Sequence, residues 1–349
     1  MRHDHRHVRA TSGFVVALAL GAVVLASCSH PAAVTTPTRA SGTPALSISV
    51  PLSTVGCTLN DVCVAVGTTG ANAPIDAVAE FSTPKGRWLN LALPTAPSPL
   101  IDAMACSGSQ CLLGGSQPGD DLLWLFSVSS ESVRPTVVPA GGIGVDALTC
   151  DREACALVDT GAHGGPPRFV ESDDGGQSWG APEPLDFATG DAVTALACGD
   201  VEDCALGVLN DQSFLLYVTN DAGATWQLRD TPSAWTDLTS LSCSRRDCVA
   251  LAQAAASSVL VRSTNFTRTW KYLALSQKAI ALACTPSAAC LVAGERSGNS
   301  PWLALVRGRT VTNVRLRYVP TPLVAAACGS KVCAALGVTT LLALGVQSP

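Results

Sequence analysis

Fourteen of the fifteen cysteines fall into seven close pairs: Cys57/Cys63, Cys106/Cys111, Cys150/Cys155, Cys198/Cys204, Cys243/Cys248, Cys284/Cys290 and Cys328/Cys333. The members of each pair have four or five residues between them, and the first cysteines follow one another at intervals of 49, 44, 48, 45, 41 and 44 residues. So regular a punctuation marks an internal repeat of about 45 residues. A unit of that size cannot bury a core alone and must stack on its neighbours. Closely spaced cysteines can also serve zinc. Structural zinc, however, asks two such elements to converge, or histidines to complete the set, and beyond residue 45 the only histidine is His163. Seven dispersed pairs do not converge on a few ions, so a disulfide within each pair is expected, formed in an oxidising compartment. No metal or other cofactor is expected.

Within a unit the order of segments recurs, most legibly in Asp191 to Asp230. A strand VTALAC turns through GDVED into a second, CALGV; a third, SFLLYVT, follows, and after a tight turn a fourth, TWQLR. The residues one and three positions before each first cysteine are small. Those two before are Val55, Met104, Leu148, Leu196, Leu241, Leu282 and Ala326, bulkier in six of seven cases. Alternation with period two marks a strand whose two faces meet different neighbours, as in the innermost strand of a crowded ring. The fold class expected is all-β: a seven-bladed β-propeller over residues 45–349, with four antiparallel strands per blade. After Cys333 too little chain remains for a fourth strand, and LSISV (Leu46 to Val50) is expected to supply it and close the ring.

The turns between third and fourth strands read SDDGGQSW in the third unit and TNDAGATW in the fourth. They resemble the Asp-box of sialidase-type (BNR-like) propellers at Ser172, Asp174, Gly176, Ser178 and Trp179, and at Thr219, Asp221, Gly223, Thr225 and Trp226. STNFTRTW (Ser263 to Trp270) keeps part of the pattern, with Asn265 and Thr267 in place of Asp and Gly. The resemblance implies a structural role: a carboxylate accepting backbone N–H groups, a glycine at positive φ and a tryptophan packed between sheets.

Residues 1–27 read as a leader. A basic, polar start precedes the twelve-residue apolar run Phe14 to Leu25, too short to span a bilayer of about 30 Å. The segment LASC resembles the lipobox of bacterial lipoproteins, which implies acylation of Cys28 and stable anchoring through more than one chain. Residues 28–44, rich in Pro, Thr, Ala and Ser, read as a disordered tether. The expected location is the outer face of a bacterial cytoplasmic membrane, with membrane contact through the lipid alone. Taking the three Arg and one Asp of residues 1–27 from the totals leaves 19 basic and 26 acidic side chains, a net charge of −7. That balance argues against nucleic acid as a partner.

The resemblance raises sialidase activity, and the residues oppose it. That family grips its substrate with three arginines and attacks through a tyrosine, whereas the inner strands here carry no arginine and Tyr217, Tyr272 and Tyr318 fall on outer segments. His163, alone in a Gly/Pro-rich loop, completes no nucleophilic triad. A binding role is expected instead, on loops opposite the cysteine hairpins. Asp102, Asp146, Asp191 and Asp237 stand near the starts of consecutive inner strands, where they either form an acidic rim for a cation or basic peptide or make local Asx turns. Trp235 reads either as an exposed anchor or as a packed side chain. The expected partner is an envelope protein or peptide; the alternative is a carbohydrate-binding or glycoside hydrolase-like propeller in the envelope.

Overall fold

The computed structural model describes residues 46–47, 52–68, 77–82, 88–96, 99–137, 142–161, 165–186, 191–200, 202–210, 213–232, 235–254, 257–316, 319, 321–337 and 340–346. Cys28, the leader and tether, His163 and Tyr318 lie outside them. The strands form seven four-stranded antiparallel sheets, one for each cysteine pair. Six use four consecutive strands. In the fourth these are Ala192–Cys198, Cys204–Asn210, Ser213–Thr219 and Gln227–Arg229. The seventh joins the last three strands to Leu46–Ser47, which pairs with Leu341 and Thr340 at the sheet's outer edge. The chain is a β-propeller. Its sheets are numbered here as blades 1 to 7 in the order of their cysteine pairs.

The blades stack because each sheet is apolar on both faces. Among the described residues seven apolar clusters each join two neighbouring blades, from Val64 and Trp124 between blades 1 and 2 to Ala65 and Leu336 between blades 1 and 7. The innermost strand of every blade touches those of both neighbours, and Thr54–Cys57 of blade 1 meets Leu323–Cys328 of blade 7, so the ring is closed. Polar contacts add to this seam. Asp61 Oδ1 accepts the N–H groups of Lys331 at 2.7 Å and Val332 at 3.0 Å, and Ser330 donates to the Leu59 carbonyl at 2.6 Å.

All seven cysteine pairs are disulfides within their own hairpins: Cys57–Cys63, Cys106–Cys111, Cys150–Cys155, Cys198–Cys204, Cys243–Cys248, Cys284–Cys290 and Cys328–Cys333. The pairing is as expected, and the two ends of a bridge differ in surroundings: the first cysteine of six pairs lines the cavity on the channel axis. The second cysteine of each pair, Cys63, Cys111, Cys155, Cys204, Cys248, Cys290 and Cys333, is buried. Each of these belongs to one of the apolar clusters between blades, because the second strand it opens is covered by a neighbouring sheet. These sulfurs therefore contribute core packing as well as a cross-link, and they are not candidates for ligand contact.

The up-and-down order of strands puts the first-to-second and third-to-fourth turns at one end of each blade. Hydrogen bonds tie them together: Gly175 N–H to Glu153 O in blade 3, Ala222 to Glu202 in blade 4 and Phe266 to Arg246 in blade 5. The crowding inferred for the inner strands is explicit at Gly56, where an added β-carbon would lie 2.6 Å from Cys106 Sγ and 2.7 Å from Met104 Sδ of the next blade. The inner strands carry one feature that the alternation did not foretell. In six of them the register slips at the fourth residue before the cysteine, Asp102, Asp146, Thr194, Thr239, Ile280 and Val324, as one extra residue bulges out.

The two turns singled out in the sequence share one hydrogen-bond pattern. Asp174 Oδ1 accepts the N–H groups of Gln177 and Ser178 and the Ser172 hydroxyl, and its Oδ2 accepts the Ser178 hydroxyl. Asp221 is bound in the same way by Thr219 and Thr225. At Asp174 desolvation is outweighed by these donors, Ser178 foremost, and the carboxyl falls to about 2; Asp221 is lowered for the same reason, chiefly by the Thr225 hydroxyl. Gly176 and Gly223 hold φ of 84° and 80°. Trp226 packs edge-on against Phe169 of the preceding blade with ring centroids 5.2 Å apart. In blade 5 Asn265 replaces the aspartate, and still accepts the Ser263 hydroxyl and the Thr269 N–H.

Candidate functional site

The central channel opens on the disulfide side as a cavity of 720 Å³ to which all seven blades contribute. Its wall is built by the strand periodicity. The residue two before each first cysteine, from Val55 in blade 1 through Leu148 and Leu241 to Ala326 in blade 7, lines it, joined in six blades by the small residue that follows. The rim carries charge. Arg152 projects from the hairpin tip of blade 3, and Arg245 and Arg246 from that of blade 5; all three are exposed. Arg262 lies on the third strand of blade 5 and pairs with Asp247 at 3.1 Å. Desolvation raises the Asp151 carboxyl, with Arg152 and Arg245 pulling the other way and Asp200 adding to the rise. The two arginine-bearing tips flank blade 4, whose tip is held to blade 5 by a hydrogen bond from Arg245 N–H to Gly199 O at 2.8 Å. Gly199 permits that approach: a β-carbon there would lie 1.8 Å from the Arg245 carbonyl oxygen.

On the opposite side the four predicted aspartates do not occupy equivalent places. Asp102 and Asp146 are both bulge residues, exposed and coupled across blades 2 and 3: desolvation raises the Asp102 carboxyl, and repulsion from Asp146 adds to the rise. Asp191 precedes its strand, and its charge, after desolvation, helps raise the Tyr217 hydroxyl within its own blade. Asp237 lies at the start of its strand and accepts the N–H of Leu238 at 2.7 Å, a local turn contact. Of the two readings, the rim is reduced to a pair at Asp102 and Asp146, and Asp237 makes the local turn contact. Trp235 needs correction as a binding anchor. It is only 7% exposed and packs among Phe214, Trp270 and Tyr272, because burying a large ring at the seam between blades 4 and 5 outweighs presenting it to solvent. A second cavity of 560 Å³ on this side lies in blade 6 and the segment after it, bordered by Arg296, Arg315 and Leu316.

Several charged groups within the blades escaped the sequence reading because each stands at a position that is uncharged in most other blades. Asp159 in blade 3 is fully buried and takes a two-pronged ion pair from Arg168, Nε to Oδ1 at 2.9 Å with Nη2 on Oδ2. Asp121 of blade 2 lies beside this pair, and desolvation, with repulsion from Asp159, pushes it up to about 6. Glu171 is pushed up to about 7 by desolvation. Its equivalents in register include Leu125, Val218 and Leu305, with Arg262 of blade 5 the other charged one, and that contrast was readable once the strands were aligned on their cysteines.

No protein-family model matches the chain, and no curated protein sequence does. Solved structures share its fold. YCF48 bound to D1 peptide is 13% identical with a TM-score of 0.61, over 90% of this chain and 100% of that one. The GH74 enzyme of Niastella koreensis is 11% identical with a TM-score of 0.63, over 86% of this chain and 53% of its own. The WD40 repeats of RRP9 are 13% identical with a TM-score of 0.60, over 89% and 99%. What they have in common with this chain is the propeller.

Proposed function

We propose that the chain is an extracytoplasmic binding or scaffolding protein, a seven-bladed propeller of the Asp-box type, lipid-anchored through Cys28 on the outer face of a bacterial cytoplasmic membrane, whose ligand is a protein or peptide. The signal peptide of residues 1–27 and the tether of 28–44 belong to this reading and rest on the sequence. The observation that carries the binding role is the channel mouth on the disulfide side, where an apolar wall meets a rim of guanidinium and carboxylate groups from separate blades. Ligand sites commonly combine an apolar concavity with a few charged groups that fix orientation. The likeness to YCF48 bound to D1 peptide supports a peptide as ligand. Likeness to the GH74 enzyme keeps an envelope carbohydrate as the second reading.

Site-specific photo-crosslinking in cells tests this. A photoreactive residue at Ser244, which lines the mouth, is expected to give discrete protein adducts, and one at the outer-strand residue Leu228 none. Adducts of equal yield at both positions, or glycan adducts at Ser244, would overturn the reading. Release of the protein from membranes by Cys28→Ser tests the anchor separately.

A further inference from the structure

Resting on that reading, we propose that the disulfide-side mouth takes an acidic peptide segment, its carboxylates held by Arg152, Arg245 and Arg246 and an adjacent apolar side chain seated in the channel. Four arginines and two aspartates line the cavity, so it is basic within a chain whose formal net charge is −5. Arg262 is committed to Asp247. The three remaining arginines are exposed and come from the tips of blades 3 and 5, on either side of blade 4. Acidic groups on the blade 4 tip, Asp200 and Asp203, interact with these tips, yet neither lines the cavity. With Asp247 paired to Arg262, a ligand inside the mouth meets three guanidinium groups against one carboxylate, Asp151. Guanidinium forks match carboxylates in bidentate geometry, which sets this mouth apart from a generic basic surface.

The apolar half of the ligand is dictated by the wall. Leu148, Leu196 and Leu241 come from the same blades 3, 4 and 5 that carry or flank the arginines. A carboxylate held at the rim thus places its neighbouring side chain over leucines. A volume of 720 Å³ lies within the range that takes a few side chains or a small ligand. Apolar anchors seated in such pockets dominate peptide affinity, with polar rims setting orientation. Net repulsion between this acidic chain and an acidic ligand is screened beyond about 8 Å at physiological salt, so the local field at the rim decides.

Panning a displayed library of random dodecapeptides against the soluble protein, residues 45–349, tests the inference, with affinities of the enriched peptides measured by biolayer interferometry. The expected result is enrichment of Asp or Glu beside Leu, Ile, Val or Phe, with binding that weakens as salt rises. The triple variant Arg152→Gln, Arg245→Gln, Arg246→Gln should bind these peptides at least tenfold more weakly while keeping the wild-type circular dichroism; Arg246→Gln alone, an exposed single change, should show several-fold weakening. Enrichment of basic or uncharged peptides would overturn it. So would acidic binders that the triple variant retains, which would move the site away from this mouth and leave peptide binding intact. No enrichment over the unselected library would overturn the peptide reading itself.

Discussion

A β-carbon on Gly223 would lie 2.3 Å from Cδ1 of Phe169, so the turn of blade 4 rests directly on the ring of blade 3. The same relation recurs one blade earlier, where a β-carbon on Gly176 would lie 2.5 Å from Cδ1 of Leu112. Both glycines also hold positive φ. Gly223→Ala is expected to cost roughly 2–3 kcal/mol, from backbone strain together with displacement of a packed ring. Gly119→Ala is the control: its φ is 85° and nothing lies within 4 Å of the added carbon, so about 1 kcal/mol is expected from strain alone. Denaturant melts of the two variants check the difference, and equal losses would refute the packing term.

Removing one disulfide should be a modest, local injury. For loops this short the chain-entropy model assigns about 2 kcal/mol to each bridge. Cys106→Ser with Cys111→Ser is expected to lower stability by that amount and leave the other six bridges formed. Thiol titration of the unfolded variant, prepared as residues 45–349, should find no free cysteine.

Glu171 should make the protein less stable as neutrality is approached from acid. Burial raises its folded carboxyl to about 7, and in an unfolded chain it titrates near 4.3. Between those pH values the folded state keeps a proton that the unfolded chain has lost, so stability falls as pH rises and levels off above about 7. Asp121, raised to about 6, acts in the same sense, and Asp174, lowered to about 2, withdraws stability only as pH falls from about 4 toward 2. Glu171→Gln is expected to match wild type at pH 4 and to exceed it by about 1 kcal/mol at pH 8, after allowance for solvent screening. Parallel Tm curves for the two proteins across that range would exclude the effect.

The seam of the ring can be weakened at one residue. Asp61→Ala removes the acceptor for the N–H groups of Lys331 and Val332 and is expected to cost about 1–2 kcal/mol. Asp61→Asn retains a carbonyl acceptor and should lose about half as much. Hydrogen exchange at Lys331 and Val332 should quicken in the alanine variant and change little in blade 4.

Much of this architecture was legible because the chain repeats itself. The cysteine pairs fixed the phase of every hairpin, and once the phase is known the small and bulky positions of the inner strands, the two carboxylate-centred turns and the borrowed strand at Leu46 come from local rules. The burial of Cys63, Cys155, Cys248 and Cys290 did not, since it depends on the next sheet lying against the second strand. The site was less legible, since a channel is made by residues from all blades at once and no single stretch carries its signature. Arg152, Arg245 and Arg246 read individually as turn residues; only the closed ring turns their tips toward a common opening. The four aspartates, read as a rim or as local turns, did not resolve as one set for a related reason. The starts of the four inner strands are not one position: Asp102 and Asp146 each stand four residues before their cysteine, at the bulge, whereas Asp191 and Asp237 stand seven and six before theirs. Trp235 is a matter of context: a ring beside a loop is exposed or buried according to its neighbours, and here Phe214, Trp270 and Tyr272 enclose it.

Among the described residues every disulfide joins cysteines five or six positions apart, and none passes from one blade to the next. A protease that nicks the connection between two blades therefore leaves a ring held together by burial and hydrogen bonds alone. In denaturant without reductant a molecule nicked at one such connection comes apart into two pieces, each keeping its own stapled hairpins. The cross-links guard the units and leave their assembly reversible, so a cysteine in a blade that opens keeps its partner in its own hairpin and not in a neighbour's.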